Sequence, residues 1–157
     1  MVVSTDSQDA EIAKAYGAEV PFLRPRYLSG DVAVTNDVVI DLLESLKKQG
    51  QRFEYFMILQ PTAPLRTSDD IKNAIQLMKE MDANAVVSLC EVDHSPVYTG
   101  LVPEDLRIDG FIKNDISFRR QELPKYYRLN GAIYLSRVEY FFEYRNLYKK
   151  MLCIFYG

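Results

Sequence analysis

The chain has 157 residues, 48% of them hydrophobic, with 22 acidic against 19 basic side chains and a formal charge of -3. That length suits one domain with a sizeable core, and the hydrophobic fraction argues against disorder. The charge balance gives no electrostatic case for nucleic-acid binding, two cysteines (Cys90 and Cys153) argue against a disulfide framework, and no apolar run approaches the length of a membrane span.

The scarcity of cysteines fits a reducing cytoplasm, and the N-terminus lacks the basic-then-apolar pattern of a signal peptide. Val2-Val3 is a short strand remnant that leads into Ser4-Thr5-Asp6. Asp9 to Tyr16 reads as a helix, with Gly17 as its C-cap. Glu19 to Leu23 is a short extended piece, and Arg24-Pro25-Arg26 is a rigid basic turn. Thr35 or Asn36 can cap a helix to about Gln49, which presents Val38, Val39, Leu42, Leu43 and Leu46 on one face and stops at Gly50.

Tyr55 to Leu59 is an uninterrupted apolar run of the kind found in central parallel strands. Thr67 or Ser68 caps the next helix, which groups Ile71, Ile75 and Met78. Ala85 to Leu89 is the following buried strand. This alternation predicts a largely parallel sheet with helices on both faces. From Glu91 to Arg120 the pattern gives way to turns and short extended pieces, read as an excursion of hairpins. Ala132 to Leu135 is again a strand, Val138 to Tyr144 a short aromatic helix, and Cys153 to Tyr156 an apolar run. Eleven Tyr and eight Phe, many between Tyr126 and Tyr156, suit either core packing or a subunit interface.

The most informative segment is Gln60-Pro61-Thr62-Ala63-Pro64-Leu65-Arg66, at the end of an apolar strand, where open α/β sheets bind ligands. The Gln60 amide can donate and accept at once, which suits sugar hydroxyls or an acyl group. Thr62 adds a hydroxyl. Arg66 can bridge acidic groups or pin the loop through a local carboxylate. Ser4, Thr5 and Asp6 can bind a base or ribose, or cap the helix that follows. Arg24 is either a solvated turn residue or a contact for phosphate or ribose. His94, the only histidine, sits in a turn-forming Asp93-His94-Ser95-Pro96 stretch and makes neither a metal site nor a triad by itself. Arg119-Arg120-Gln121, followed by Leu123-Pro124, offers two guanidinium forks for a carboxylate. In Asn130-Gly131-Ala132-Ile133-Tyr134, Gly131 permits a close backbone approach, and Asn130 can hydrogen-bond a hydroxyl.

Four ordered stretches, STD, QPT-PLR, RRQ-LP and NGAIY, together resemble the acylneuraminate cytidylyltransferase (CMP-sialic acid synthetase) family over nearly the whole chain. The heptapeptide departs from the family's QPTSPLR only at Ala63. The resemblance implies an α/β, Rossmann-like nucleotide-diphospho-sugar transferase fold with a mostly parallel sheet, lacking its first strand and C-terminal part. It implies a single incomplete domain over residues 1–157, with a dimerisation and sugar-site excursion at 91–128. CTP and an acidic nine-carbon sugar are the implied ligands, a homodimer the implied assembly. Ser4, Thr5, Asp6 and Arg24 fall on the nucleotide side. Gln60, Thr62, Arg66, Arg119, Arg120, Asn130, Tyr134 and Phe155 fall on the sugar side, with Arg120, or else Arg119, for its carboxylate. Where some members carry a lysine two residues after the proline of an HxP segment, this chain has Tyr98.

Intact members also carry a Gly-rich basic phosphate loop and paired aspartates that hold Mg2+. Neither element stands in these residues, so no catalytic or metal-ligating residue is assigned. The implied activity is transfer of CMP from CTP to the anomeric hydroxyl of a sialic-like nonulosonic acid. The alternatives are a catalytically silent acidic-sugar-binding or dimerising fragment, and a transferase for neutral sugar phosphates.

Overall fold

The computed structural model describes residues 7–30, 34–109, 111–112, 123–149 and 152–156. Val2-Val3, Ser4, Thr5, Asp6, Arg119 and Arg120 lie outside the described residues. The chain divides into two compact units, Met1–Tyr55 with Arg137–Asn146, and Phe56–Ser136 with Leu147–Gly157.

In the first unit, helix α1 spans Ser7–Ala15. Gly17, at φ +81°, turns the chain out of it and donates its N–H to the Lys14 carbonyl at 2.9 Å. Pro25 stands just before a single 3-10 turn, Arg26–Leu28, whose exit is held by Ser29 Oγ donating to the Pro25 carbonyl at 3.1 Å. Helix α2 covers Thr35–Lys48 and buries Val39, Leu43 and Leu46, one stripe at helical spacing. Neither Thr35 nor Asn36 caps it, because Val34 occupies the capping position. Asn36 instead donates Nδ2 to the carbonyl of Arg145 at 2.9 Å. That carbonyl lies just past helix α4, Val138–Tyr144, where Arg145 adopts φ +48°. Helix ends leave carbonyls without intrahelical partners, and the amide supplies one.

In the second unit, a four-stranded sheet has the order β1-β3-β2-β4, with β1 at Tyr55–Ile58, β2 at Ala85–Glu91, β3 at Tyr127–Arg137 and β4 at Leu152–Tyr156. The expected mostly parallel sheet is overturned. β3 runs antiparallel to β2 from Ala85↔Ser136 to Glu91↔Tyr127, while β2 and β4 pair parallel. The reason lies in the connection. β2 ends at Glu91 and β3 begins directly opposite it at Tyr127, so residues 92–126 return the chain to the end it left. A parallel neighbour would have required a crossover to the far end. β1, expected to be central, stands last in the described order and is exposed at Tyr55 and half-buried thereafter. Among the described residues of 92–112 there is no hairpin, only a 3-10 turn at Pro96–Tyr98 and irregular turns.

Helix α3, Ser68–Glu80, starts in a reciprocal capping box. Thr67 Oγ1 accepts from the Asp70 N–H, and Asp70 Oδ2 accepts from the Thr67 N–H at 2.8 Å. The helix lays Ala74 and Met78 against Val86, Ile133 and Leu135, with Ile71, Leu77, Met57 and Leu59 around them. Ile75 does not join this cluster and is 38% exposed. β2 is buried on both faces from Ala85 to Ser88, as a run of small and β-branched residues allows.

Candidate functional site

Between β2 and β3 the ladder breaks. Val87 pairs with Tyr134 and Leu89 with Leu129, so Asn130, Gly131, Ala132 and Ile133 stand opposite Ser88 alone. Gly131 takes φ +75°, which permits the detour. A bulge of this kind strips backbone groups of ladder partners, and side chains replace them here. Ser88 is 1% exposed. Its Oγ accepts from the Ile133 N–H at 2.8 Å and donates to Asn130 Oδ1 at 2.5 Å. Asn130 Oδ1 also accepts from the Ala132 N–H at 3.1 Å. Since that N–H can only donate, the atom facing it is the amide oxygen.

Arg66 completes the arrangement from the heptapeptide. Its Nη1 donates to the Ala132 carbonyl at 2.8 Å and to the Gln60 carbonyl at 3.2 Å. Of the two roles open to it, pinning the loop is the one its hydrogen bonds serve, through backbone carbonyls rather than a carboxylate. Gln60 is half-buried, and its side-chain Oε1 occupies the space that a Cβ on Gly131 would need. A Cβ at position 131 would stand 2.5 Å from Gln60 Oε1. The QPT-PLR loop and the NGAIY strand are therefore locked together through Arg66, Gln60, Gly131 and Ala132. Thr62 is exposed in the turn between Gln60 and Ala63, whose N–H donates to the Gln60 carbonyl at 3.3 Å.

Tyr134, half-buried where the regular ladder resumes, is hydrogen-bonded to the side chain of Tyr148. Partial burial, then the charge and hydrogen bond of Tyr134, push the Tyr148 phenol up to about 12. Tyr148 is thus neutral at physiological pH. β4 places the Phe155 backbone beside Ser88, whereas the Phe155 side chain lies outside what is described. Arg24 belongs to the first unit and is half-buried. His94 is exposed in its turn. Lys125 pairs with Glu91 at 3.1 Å where β2 and β3 meet, which raises the lysine's pKa, chiefly through the hydrogen bond to Glu91. A cavity of about 350 Å3 on α3 is lined by Lys72, Ile75, Gln76, Lys79 and Glu80, and none of the motif residues borders it. Among the described residues no group of three or more His, Cys, Asp or Glu side chains gathers to hold a metal, and no helix is long and apolar enough to cross a membrane.

Ser88 and Tyr148 were not singled out by sequence reasoning. For Ser88 a signal existed: a hydroxyl inside Ala85-Val86-Val87-Ser88-Leu89 must find a partner if the run is buried. Tyr148 carried none, being one of many tyrosines.

A strand and a helix joined by a polar loop that is locked to a bulged neighbouring strand define an α/β domain, and the fold has a solved counterpart. A structure of CMP:2-keto-3-deoxy-manno-octonic acid synthetase complexed with CTP matches with a TM-score of 0.62 at 18% identity, covering 99% of this chain and 71% of that one. No protein-family model matches the chain. Sequence relatives do. The CMP-N,N'-diacetyllegionaminic acid synthase of Legionella pneumophila is 32% identical over 152 residues, 96% of this chain and 65% of the relative. The N-acylneuraminate cytidylyltransferase of Streptococcus agalactiae is 35% identical over 148 residues, 93% and 34% respectively. The pseudaminic acid cytidylyltransferase of Campylobacter jejuni is 28% identical over 156 residues, 99% and 67% respectively. The chain is a homologue of the acylneuraminate and pseudaminic acid cytidylyltransferases, and it spans 65% of the length of the first of these relatives and 34% of the second.

Proposed function

We propose that the chain forms the sugar side and part of the nucleotide side of a cytidylyltransferase acting on CTP and a sialic-like nonulosonic acid. The observation that carries this reading is the lock between two motifs 66 residues apart, Arg66 to Ala132, which accompanies the close approach of Gln60 to Gly131. In this reading Gln60, Thr62, Asn130, Tyr134 and Phe155 meet the sugar, and Arg120, or else Arg119, receives its carboxylate. Arg66 serves the same site by holding the loop. Ser4, Thr5, Asp6 and Arg24 meet the nucleotide. The anomeric oxygen forms a bond to the α-phosphorus of CTP, the bond to pyrophosphate breaks, and the hydroxyl proton leaves to solvent.

Magnesium would neutralise phosphate charge when bound. The described residues present no metal-holding cluster, so they do not fit as its ligands. A homodimer built through residues 91–128 belongs to the same reading. It is supported by apolar side chains open to solvent there, among them Leu101 at 93%, Leu106 at 75% and Ile108 at 62% exposed.

The test is to incubate the purified chain with CTP, Mg2+ and, in turn, N-acetylneuraminate, N,N'-diacetyllegionaminate and pseudaminate. Pyrophosphate release with one of them is the expected result. Binding without release assigns the chain to recognition alone, and neither binding nor release with any of the three overturns the reading.

A further inference from the structure

We propose that Ser88 is a positioning residue that commits Asn130 to act as a hydrogen-bond donor toward an acceptor oxygen of the ligand; the donor's target rests on the function proposed above. The inference begins with the fixed polarity of the Asn130 amide. Its oxygen is taken twice, by the Ser88 hydroxyl and by the Ala132 N–H. Among the described residues its nitrogen makes no hydrogen bond, yet no buried side-chain nitrogen or oxygen among them lacks a partner. Asn130 Nδ2 therefore reaches solvent, on the residue adjoining Gly131, over which Gln60 lies.

Rotation of the amide is blocked by chemistry. Turning it would set an NH2 group against the Ala132 N–H, donor against donor. Ser88 favours the same choice from the other side, because its Oγ accepts from the Ile133 N–H and its proton has Asn130 Oδ1 at 2.5 Å, against the Ile133 carbonyl at 3.3 Å. A ligand group at this point must then offer lone pairs: a carboxylate, carbonyl, hydroxyl or phosphate oxygen. Ser88, nearly inaccessible itself, acts only through Asn130 and the bulge.

Two variants of the full chain separate this from a merely structural role. Asn130→Asp retains an acceptor for both Ser88 and Ala132 but turns an acceptor outward, and Asn130→Ala removes the donor without adding charge. Titrations with N-acetylneuraminate, N,N'-diacetyllegionaminate, pseudaminate and CTP, each alone, are followed by the side-chain amide resonances of Gln60 and Asn130. The expected order of affinity is Asn130, then Ala, then Asp, with Asp weaker by about tenfold or more for the probe that binds. An Asp variant that binds as well as the parent overturns the donor role while leaving the functional reading intact. A parent chain that binds no probe overturns the functional reading and the donor's target with it. The ligand-free spectrum decides the positioning role in either case. In Ser88→Ala the Asn130 NH2 pair is expected to shift while the Val86 and Leu135 methyl signals hold. An unchanged Asn130 pair overturns it.

Discussion

The guanidinium of Arg66 lies 2.8 Å from the carbonyl of Ala132, a residue whose backbone is excluded from the β2–β3 ladder. The guanidinium supplies that carbonyl with a charged donor, and the Gln60 carbonyl shares it. Bonds with a charged donor contribute about 1.5–3 kcal/mol each, more than neutral ones. Arg66→Ala is expected to lower unfolding free energy by about 1.5–3 kcal/mol in urea titration. Arg66→Lys should recover only part, since one ammonium cannot reproduce the planar fork. A loss below about 0.5 kcal/mol for Arg66→Ala, the range of ordinary surface substitutions, would show that the loop holds without this bond.

Gly131 tests the contact with Gln60. Alanine there meets two costs, the φ of +75° and a Cβ only 2.5 Å from Gln60 Oε1. The backbone cost alone is about 1–2 kcal/mol. The steric cost disappears when Gln60 is also truncated. Gly131→Ala with Gln60→Ala is therefore expected to lose less stability than the sum of the two single variants. Additivity in that double-mutant cycle would mean the side chain moves aside freely.

The capping box of α3 has a pH signature. The backbone N–H of Thr67, and next its hydroxyl, hold the Asp70 carboxyl below its usual range. A depressed acid stabilises the folded state above its unfolded pKa, near 3.8, and loses that contribution as pH falls through its lower folded value. Thr67→Ala is expected to cost about 1 kcal/mol at neutral pH. It should also move the Asp70 carboxyl part of the way back toward 3.8, because the backbone bond remains. Carbon-detected titration of Asp70 reads both states.

Tyr148 titrates in the opposite sense. Its folded pKa of about 12 lies above the ordinary value of 10. Its contribution is fully present below pH 10 and is lost as pH rises toward 12. Ultraviolet titration of the chain should show a phenol ionising late, absent in Tyr148→Phe. Tyr134→Phe should bring that phenol's pKa down, since it removes the hydrogen bond.

Much of this could be read before any coordinates. Gly17 and Gly50 turn the chain through positive φ at the ends of α1 and α2, and Thr67 caps α3, because each signal is local. Strand direction was not legible. Alternating helices and strands predict parallel neighbours, but β3 pairs with β2 across a connection whose return path no short-range pattern records. The helix entry at Thr35 was misread because two cap-competent residues follow Val34, and one of them, Asn36, serves a carbonyl 109 positions away. In the site, the motifs marked Gln60, Arg66 and Asn130, while Ser88 was hidden inside an apolar run. For Arg66 the sequence shows the charge but not the two backbone carbonyls to which its Nη1 donates.

The long return between Glu91 and Tyr127 also governs how the chain folds. Closing a loop costs entropy that grows only with the logarithm of its length, about 0.6 kcal/mol for each doubling. The thermodynamic penalty is small, but the search is slow, because non-local pairing rewards the chain only after closure. Helix α3 can form early from its own cap, whereas the pairing that seats Asn130 against Ser88 must await that closure. Halving residues 92–126 should therefore stabilise the fold by about 0.6 kcal/mol and speed the appearance of the site by at most about threefold, the same free energy read as a rate.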